Sequence, residues 1–218
     1  MRIDIVSDVI CPWCFIGKRR LAAALCQRGE TSAGVAWHPF QLNPDMPAEG
    51  MPRERYLANK FGGSQHAGRI YENLTNVGAS VGIPFAFDRI KVTPNTRDAH
   101  RLIRYASSTA HADGVVEALF RAYFIEGRNI GDAETLTEIG AEAGLDRAEV
   151  QRYVKSTEAV EETLAEDLSA RRIGITAVPC FIFDKKYVVS GAQEPEFFFP
   201  LFDLLKTEQA KTEVDAAQ

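Results

Sequence analysis

Cys11 and Cys14, separated only by Pro12 and Trp13, are two thiols close enough along the chain to be oxidised and reduced as a pair. Read as the first turn of a helix, two cysteines three positions apart bring their Cα atoms within the roughly 4.4 to 6.8 Å that a disulfide requires. Only the thiolate attacks a disulfide sulfur, and the free N–H groups and positive dipole end of a helix start stabilise such an anion. Cys11 is therefore the expected attacker, and Cys14 the resolving thiol that clears a mixed disulfide formed on Cys11. Pro12 lacks an N–H where a helix start leaves donors unpaired, and it fixes φ for helix entry. Trp13 should stand partly exposed beside Cys11 as one wall of a substrate groove. The competing readings are half a zinc site and two cysteines that only fill space. Zinc takes four ligands, usually two Cys pairs or a Cys pair with a His pair. Beyond the dithiol the chain has Cys26 and Cys180 and no His pair at finger spacing, so no metal is assigned.

The dithiol needs elements to hold it. Ile3-Asp4-Ile5-Val6 is an apolar, β-branched run short enough for a buried strand, and the run from Phe15 to Leu21 continues the helix. The spacing predicts a first helix over 14–27, with Gly29 as its C-terminal cap. Leu21, Ala22 and Leu25 should face the sheet, and Lys18, Arg19 and Arg20 should form a solvated face. Cys26 lies twelve residues past Cys14, about 18 Å along the helix axis, which excludes pairing with the dithiol and leaves it as a buried packing residue.

Composition bounds the function. A chain of 218 residues with 45% hydrophobic and 25% charged residues is an ordinary soluble globular protein, and a net charge of -5 argues against nucleic acid or an anionic membrane as partner. Met1-Arg2 leads directly into the first strand without a leader pattern, and no apolar run reaches the roughly 18 residues of a membrane span. The expected location is the cytoplasm, where a reactive pair cycles and structural disulfides are rare.

Val35 to Phe40 reads as a second strand, closed by Pro39 and the turn-rich Asn43 to Pro47. From Arg53 to about Arg171 the periodicity is helical, with segments at 53–61, 65–79, 97–110, 114–126, 133–143, 147–155 and 158–172. Asn95 or Thr96, Asp113, Asp132 and Asp146 are placed to cap four of them, and Gly127, Gly144 and Gly174 to end others. Val178 to Phe183, the turn Asp184-Lys185-Lys186 and Tyr187 to Gly191 form a predicted hairpin. A last helix from Pro195 to Leu205 should bury Phe198, Leu201, Phe202 and Leu205, before a polar, frayed tail from Thr207.

Four segments, Ser7-Asp8-Val9-Ile10-Cys11-Pro12-Trp13-Cys14, Pro94-Asn95-Thr96 with Ala99-His100-Arg101-Leu102, Gly131-Asp132, and Val189-Ser190-Gly191-Ala192-Gln193, resemble the DsbA family of disulfide oxidoreductases. Within it they are similar to the cytoplasmic FrnE-like branch, itself related to 2-hydroxychromene-2-carboxylate isomerases and kappa-class glutathione transferases. The resemblance implies an α/β thioredoxin fold with a large all-helical insertion between the second strand and a cis-proline strand. The boundaries follow as 1–48 and 173–208 for the thioredoxin-like part, 49–172 for the insertion and 209–218 for the tail.

The resemblance further implies that the Val178-Pro179 bond is cis and lies against the dithiol, leaving Val178 backbone groups to bind an extended peptide or glutathione as an added strand. It places Asn95, Thr96, His100 and Arg101 on the insertion face above the dithiol, where they would shape the substrate cavity. Read alone, Asn95 and Thr96 are helix caps, and His100 is a core or interface histidine. Cys180 reads as a buried hydrophobe, or else as a further thiol near the active pair. His38, His66 and His111 have no paired spacing and no assigned role.

The expected activity is thiol–disulfide exchange on a protein or small-molecule substrate, with no tightly bound cofactor and glutathione admitted as a co-substrate. The other class is a glutathione-dependent isomerase or transferase acting on a small aromatic substrate. Those relatives commonly carry serine at the first position of the pair, so the presence of both cysteines favours redox chemistry. The resemblance leaves a homodimer open.

Overall fold

A computed structural model describes residues 1–30, 32–62 and 64–216 of the chain, with the side chains of 64–67 and 212–216 outside the description. The side chain of His66 and residues 217–218 of the expected tail thus lie outside the described residues. β1 (Arg2–Ser7) is central because its β-branched residues are buried on both faces. It pairs in parallel with β2 (Gly34–Pro39) on one side and antiparallel with β5 (Cys180–Phe183) on the other, and β6 (Tyr187–Ser190) completes the order β2-β1-β5-β6. The β5–β6 turn puts Asp184 and Lys185 at positive φ, and Asp184 accepts a hydrogen bond from the Arg2 N–H at 2.6 Å.

Alternation along β1 divides the core. Ile3 and Ile5 face α1 (Pro12–Gln27) together with Phe15, Phe183, Phe198 and Phe202. Val6 faces the other way, toward Phe40, Ala170, Ile175 and Cys180 beneath α8 (Val160–Arg172). Between β2 and β5 the chain forms α2 (Arg53–Phe61), α3 (Ser64–Ser80), α4 (Arg97–Ser107), α5 (Ala112–Arg121), α6 (Ala133–Glu142), α7 (Arg147–Lys155) and α8. The layout is the expected thioredoxin fold with a helical insertion, although the insertion is not all-helical. Two-residue strands β3 (Met51–Pro52) and β4 (Val92–Thr93) pair antiparallel, extended by the Arg53 N–H to the Lys91 carbonyl at 2.8 Å.

The insertion shares its core with the sheet. Phe15 of α1 stacks on Phe120 with centroids 4.9 Å apart and meets Phe85 edge-on at 6.1 Å. Such pairs contribute about 0.5–1.5 kcal/mol each beyond area burial. Asp132 and Asp146 cap α6 and α7 by accepting from the N–H groups of Thr135 and Glu149, each at 2.9 Å. Asp113 does not cap its helix, which begins one residue earlier; its carboxylate instead takes the Lys18 ammonium at 2.9 Å.

Expectations for the first and last helices are corrected. In α1, Ala24 rather than Ala22 is buried, and Arg20 is buried rather than solvated. Arg20 donates to the Ala192 carbonyl at 2.5 Å and pairs with Glu194, while Lys18 and Arg19 meet Glu117, so the basic run clamps α1 to both neighbours. Cys26 is exposed, because it sits a half-turn away from the face carrying Leu21 and Ala24. The C-terminal segment is a short 3-10 turn (Pro195–Phe198) followed by α9 (Phe199–Ala216), so helix replaces the expected frayed tail through Ala216. Lys206 to Glu30 at 2.6 Å and Glu208 to both Lys186 and Tyr187 hold it to the body. Its buried face is Phe202 and Leu205, with Phe198 from the turn; Leu201 is half-buried.

Candidate active site

β1 ends at Ser7, and the loop Asp8–Ile10 turns the chain into α1 with Cys11 at its N-cap and Pro12 in the first turn. The turn is closed by the Cys11 N–H to the Asp8 carbonyl at 3.0 Å. The Cys14 N–H then donates to the Cys11 carbonyl at 3.0 Å, so both sulfurs belong to one tight turn. Cys11 and Cys14 stand as free thiols, 5% and 1% exposed. Cys14 is the deeper. Burial holds its thiol well above the ordinary range, reinforced by the hydrogen bond and charge of Cys11 beside it; the Ser7 hydroxyl acts in the opposite direction. Cys11 is the less deeply buried of the two thiols, and Trp13 stands exposed next to it.

Opposite the dithiol, the Val178–Pro179 peptide bond is cis, as expected. The Cys11 sulfur lies 3.7 Å from the Val178 carbonyl oxygen. The two segments approach closely because residue 17 is glycine: a Cβ there would lie 2.9 Å from Pro179 Cγ and 3.1 Å from Phe181 Cζ. A glycine inside the helix that follows the dithiol was a readable signal of such an approach.

Asp8 is a second feature the motif did not assign. Its carboxylate is fully buried, accepts from the Leu42 N–H at 2.7 Å, and lies 3.3 Å from Nε2 of the buried His100. It ties the dithiol loop to the segment after β2 and to α4 at once. The loop is thereby held from two sides by one buried carboxyl group.

The other sequence-derived candidates occupy distinct places. Asn95 accepts from the Arg97 N–H at 2.9 Å and donates to the Met46 carbonyl at 2.7 Å, so it both caps α4 and holds the loop after β2. Thr96 is buried at the N-cap of α4 with no side-chain cap bond. Arg101, one residue past His100, runs inward to the carbonyls that end α7. Cys180 is buried against α8, and burial raises its thiol while the Ser190 hydroxyl opposes this. A cavity of about 680 Å³ lies along β2 under α4, α5 and α8, with His100, Ser7 and Val9 in its wall. Cys11, Cys14, Asn95, Thr96, Val178 and Cys180 are not among its lining residues. Among the described residues no group of three or more His, Cys, Asp or Glu is placed to hold a metal ion, and no helix is long and apolar enough to cross a membrane.

Comparison with known proteins matches residues 2–200 to the DSBA-like thioredoxin domain family. The chain is 26% identical over 204 residues to the uncharacterized protein YwbO of Bacillus subtilis (strain 168), covering 91% of this chain and 94% of that one. Among solved structures it is similar to a probable DsbA oxidoreductase from Streptomyces coelicolor, with a TM-score of 0.82, 32% identity, and 91% and 86% of the two chains covered. The cytosolic disulfide reductase DsbM from Pseudomonas aeruginosa, solved with GSH, shares the fold at a TM-score of 0.68 and 19% identity, with 94% of this chain and 100% of that one covered.

Proposed function

The chain belongs to the DSBA-like thioredoxin domain family, and on that premise we propose that it is a thiol–disulfide oxidoreductase working through Cys11 and Cys14. The observation that carries the reading is the placement of the Cys11 sulfur 3.7 Å from the Val178 carbonyl with Cys14 buried behind it. In the reducing direction the Cys11 thiolate attacks one sulfur of a substrate disulfide and expels the other as thiolate. Cys14 loses its proton and attacks the Cys11 sulfur, the substrate's second thiolate leaves, and two electrons have passed from the dithiol to the substrate. The oxidising direction runs these steps backwards from the Cys11–Cys14 disulfide, and the potential difference selects between them.

Val178 supports a role in alignment. Its carbonyl faces the attacking sulfur, where an extended chain could pair with the backbone as a short added strand. Glutathione has the size and the thiol to act as co-substrate in that groove, and a reducing compartment such as the cytoplasm suits a cycling dithiol.

Insulin reduction, run with the wild type, Cys11→Ser and Cys14→Ser, tests the reading. Activity should vanish in Cys11→Ser, and Cys14→Ser should accumulate a mixed disulfide with substrate. A glutathione-dependent isomerase activity on a small aromatic substrate that survives both substitutions would replace the proposal.

A further inference from the structure

The outer edge of β2 is bordered by a cavity rather than by a strand. Residues Val35, Ala36, Trp37, His38 and Pro39 all line the space of about 680 Å³ beneath α4, α5 and α8. In the sheet order β2-β1-β5-β6, the far side of β2 has no neighbour.

The parallel register decides which backbone groups face that side. β2 pairs with β1 as Gly34 with Arg2 through Pro39 with Ser7, and the ladder is bracketed by the Gly34 N–H to Met1 O at 3.1 Å and the Phe40 N–H to Ser7 O at 3.0 Å. Even-numbered residues of β2 thus bond inward to β1. By the alternation of a strand, the N–H and C=O groups of Val35 and Trp37 and the C=O of Pro39 point outward. Among the described residues no hydrogen bond from outside the sheet reaches the backbone of Val35 or Trp37.

Donor and acceptor pairs repeating every two residues, roughly 6.7 Å apart, match the backbone of another extended chain. An exposed edge is ordinarily shortened, charged or covered. Here helices flank the edge without filling it, Ile103 and Val116 set apolar patches among the charged Arg104, Asp113 and Glu166, and along the edge Val35 is 38% exposed where Trp37 is 9% exposed. The volume is that of a site for a ligand of a few residues. Because β1 and β2 are parallel, the Pro39 end of the edge lies at the same end of the sheet as the loop into Cys11, and Ser7 and Val9 of that region share the cavity wall.

We propose that this edge is a second binding site, which takes an extended segment of an unfolded polypeptide as an added strand beside β2. It is separate from the Val178 groove, and it makes a polypeptide a better substrate than a small disulfide. The assignment of that polypeptide as substrate rests on the thiol–disulfide reading above; the binding itself does not.

The probe is S-carboxymethylated insulin B chain, an unfolded polypeptide whose blocked thiols cannot exchange. At saturation it should slow amide hydrogen exchange at Val35 and Trp37, and leave Ala36 and His38, already bonded to β1, unchanged. Val35→Pro removes one outward N–H and no ladder bond, so the variant should keep its thermal midpoint and lose binding by about tenfold or more. With intact insulin it should raise KM and leave kcat in place. Unaltered exchange at Val35 and Trp37 at saturating peptide, no saturable binding by the wild type, or full affinity in a folded Val35→Pro would each overturn the proposal. Binding intact in a protein that fails to reduce insulin would instead remove the catalytic reading and leave the edge site standing.

Discussion

Gly17 of α1 and Pro179 before β5 touch so closely that there is no room between them for a methyl group: the added Cβ would fall 2.9 Å from Pro179 Cγ. The neighbours on that side, Phe181 and Ala192, are buried or held by Arg20, so the strain has few ways to relax. Gly17→Ala should push the Val178–Pro179 segment away from Cys11. Overpacking of this kind costs about 1–3 kcal/mol. Urea unfolding should show a loss in that range, and insulin reduction should fall by about tenfold or more per folded molecule, since small misplacements at a reacting centre are amplified in rate. A variant as active as the wild type would show that this contact does not position the site.

Arg101 is 1% exposed and donates to the carbonyls of Tyr153 at 3.0 Å, Ser156 at 2.9 Å and Glu158 at 2.7 Å, with Asp98 at 3.0 Å as its counter-charge. It thereby gathers carbonyls at and just beyond the end of α7, where no glycine or αL residue closes the helix. Arg101→Ala should cost about 3–5 kcal/mol, the range for removing one partner of a buried charged network. Arg101→Lys should recover part of it, lacking the planar fork. The expected signature is a lower thermal midpoint with unchanged activity per folded molecule at 25 °C; a loss of activity without a loss of stability would give Arg101 a role at the dithiol.

What the sequence disclosed follows the range of its signals. Asp132 and Asp146 cap helices three residues ahead, and the dithiol closes its own turn, so both were readable from neighbours in the chain. Arg20 and Arg101 looked like surface charge and a cavity-shaping residue because their partners lie 172 and 52–57 positions away. Ala22, Ala23 and Ala24 differ only in azimuth on α1, and nothing in an alanine run marks which one faces the sheet. Asp8 was visible within the resemblance, but its role depends on Leu42 and His100, which the fold alone brings to it.

His38 gives the protein a pH-dependent component of stability. Its Nε2 lies 2.9 Å from Asp4 Oδ1 and its Nδ1 2.5 Å from Glu166 Oε1, so both ring nitrogens face carboxylates and the imidazolium fits best. The hydrogen bond to Glu166 raises its pKa most; burial opposes this, and Asp4 adds to the rise. A pKa higher in the folded than in the unfolded state means the stabilisation is complete below about 6.5, the unfolded value, and is lost as pH rises through the folded one. His38→Gln should cost about 1 kcal/mol at pH 6 and less at pH 8.5, measured by urea unfolding; an equal cost at both would mean that the imidazolium is not the stabilising form.

In the proposed reaction, Cys14 should make the resolving half depend on pH in the alkaline direction. Burial, and then the adjacent Cys11, raise its pKa well above the ordinary thiol value, so near neutrality only a small fraction is thiolate. Attack on a mixed disulfide requires that thiolate. Once Cys11 is joined to substrate, its charge is gone and part of the rise disappears, but the burial contribution, which is the largest, remains. Release of substrate from a preformed Cys11 mixed disulfide should therefore accelerate with pH through and above about 8.5, the unperturbed value, in single-turnover measurements. The same raised pKa predicts that stability is full below that value and declines as pH rises through the folded one, a decline that Cys14→Ser should remove. Ser7→Ala, which takes away the hydroxyl opposing the shift, should move the rate profile further toward alkaline pH. A resolution rate that is flat between pH 6 and pH 9 would show that Cys14 deprotonation does not limit the step.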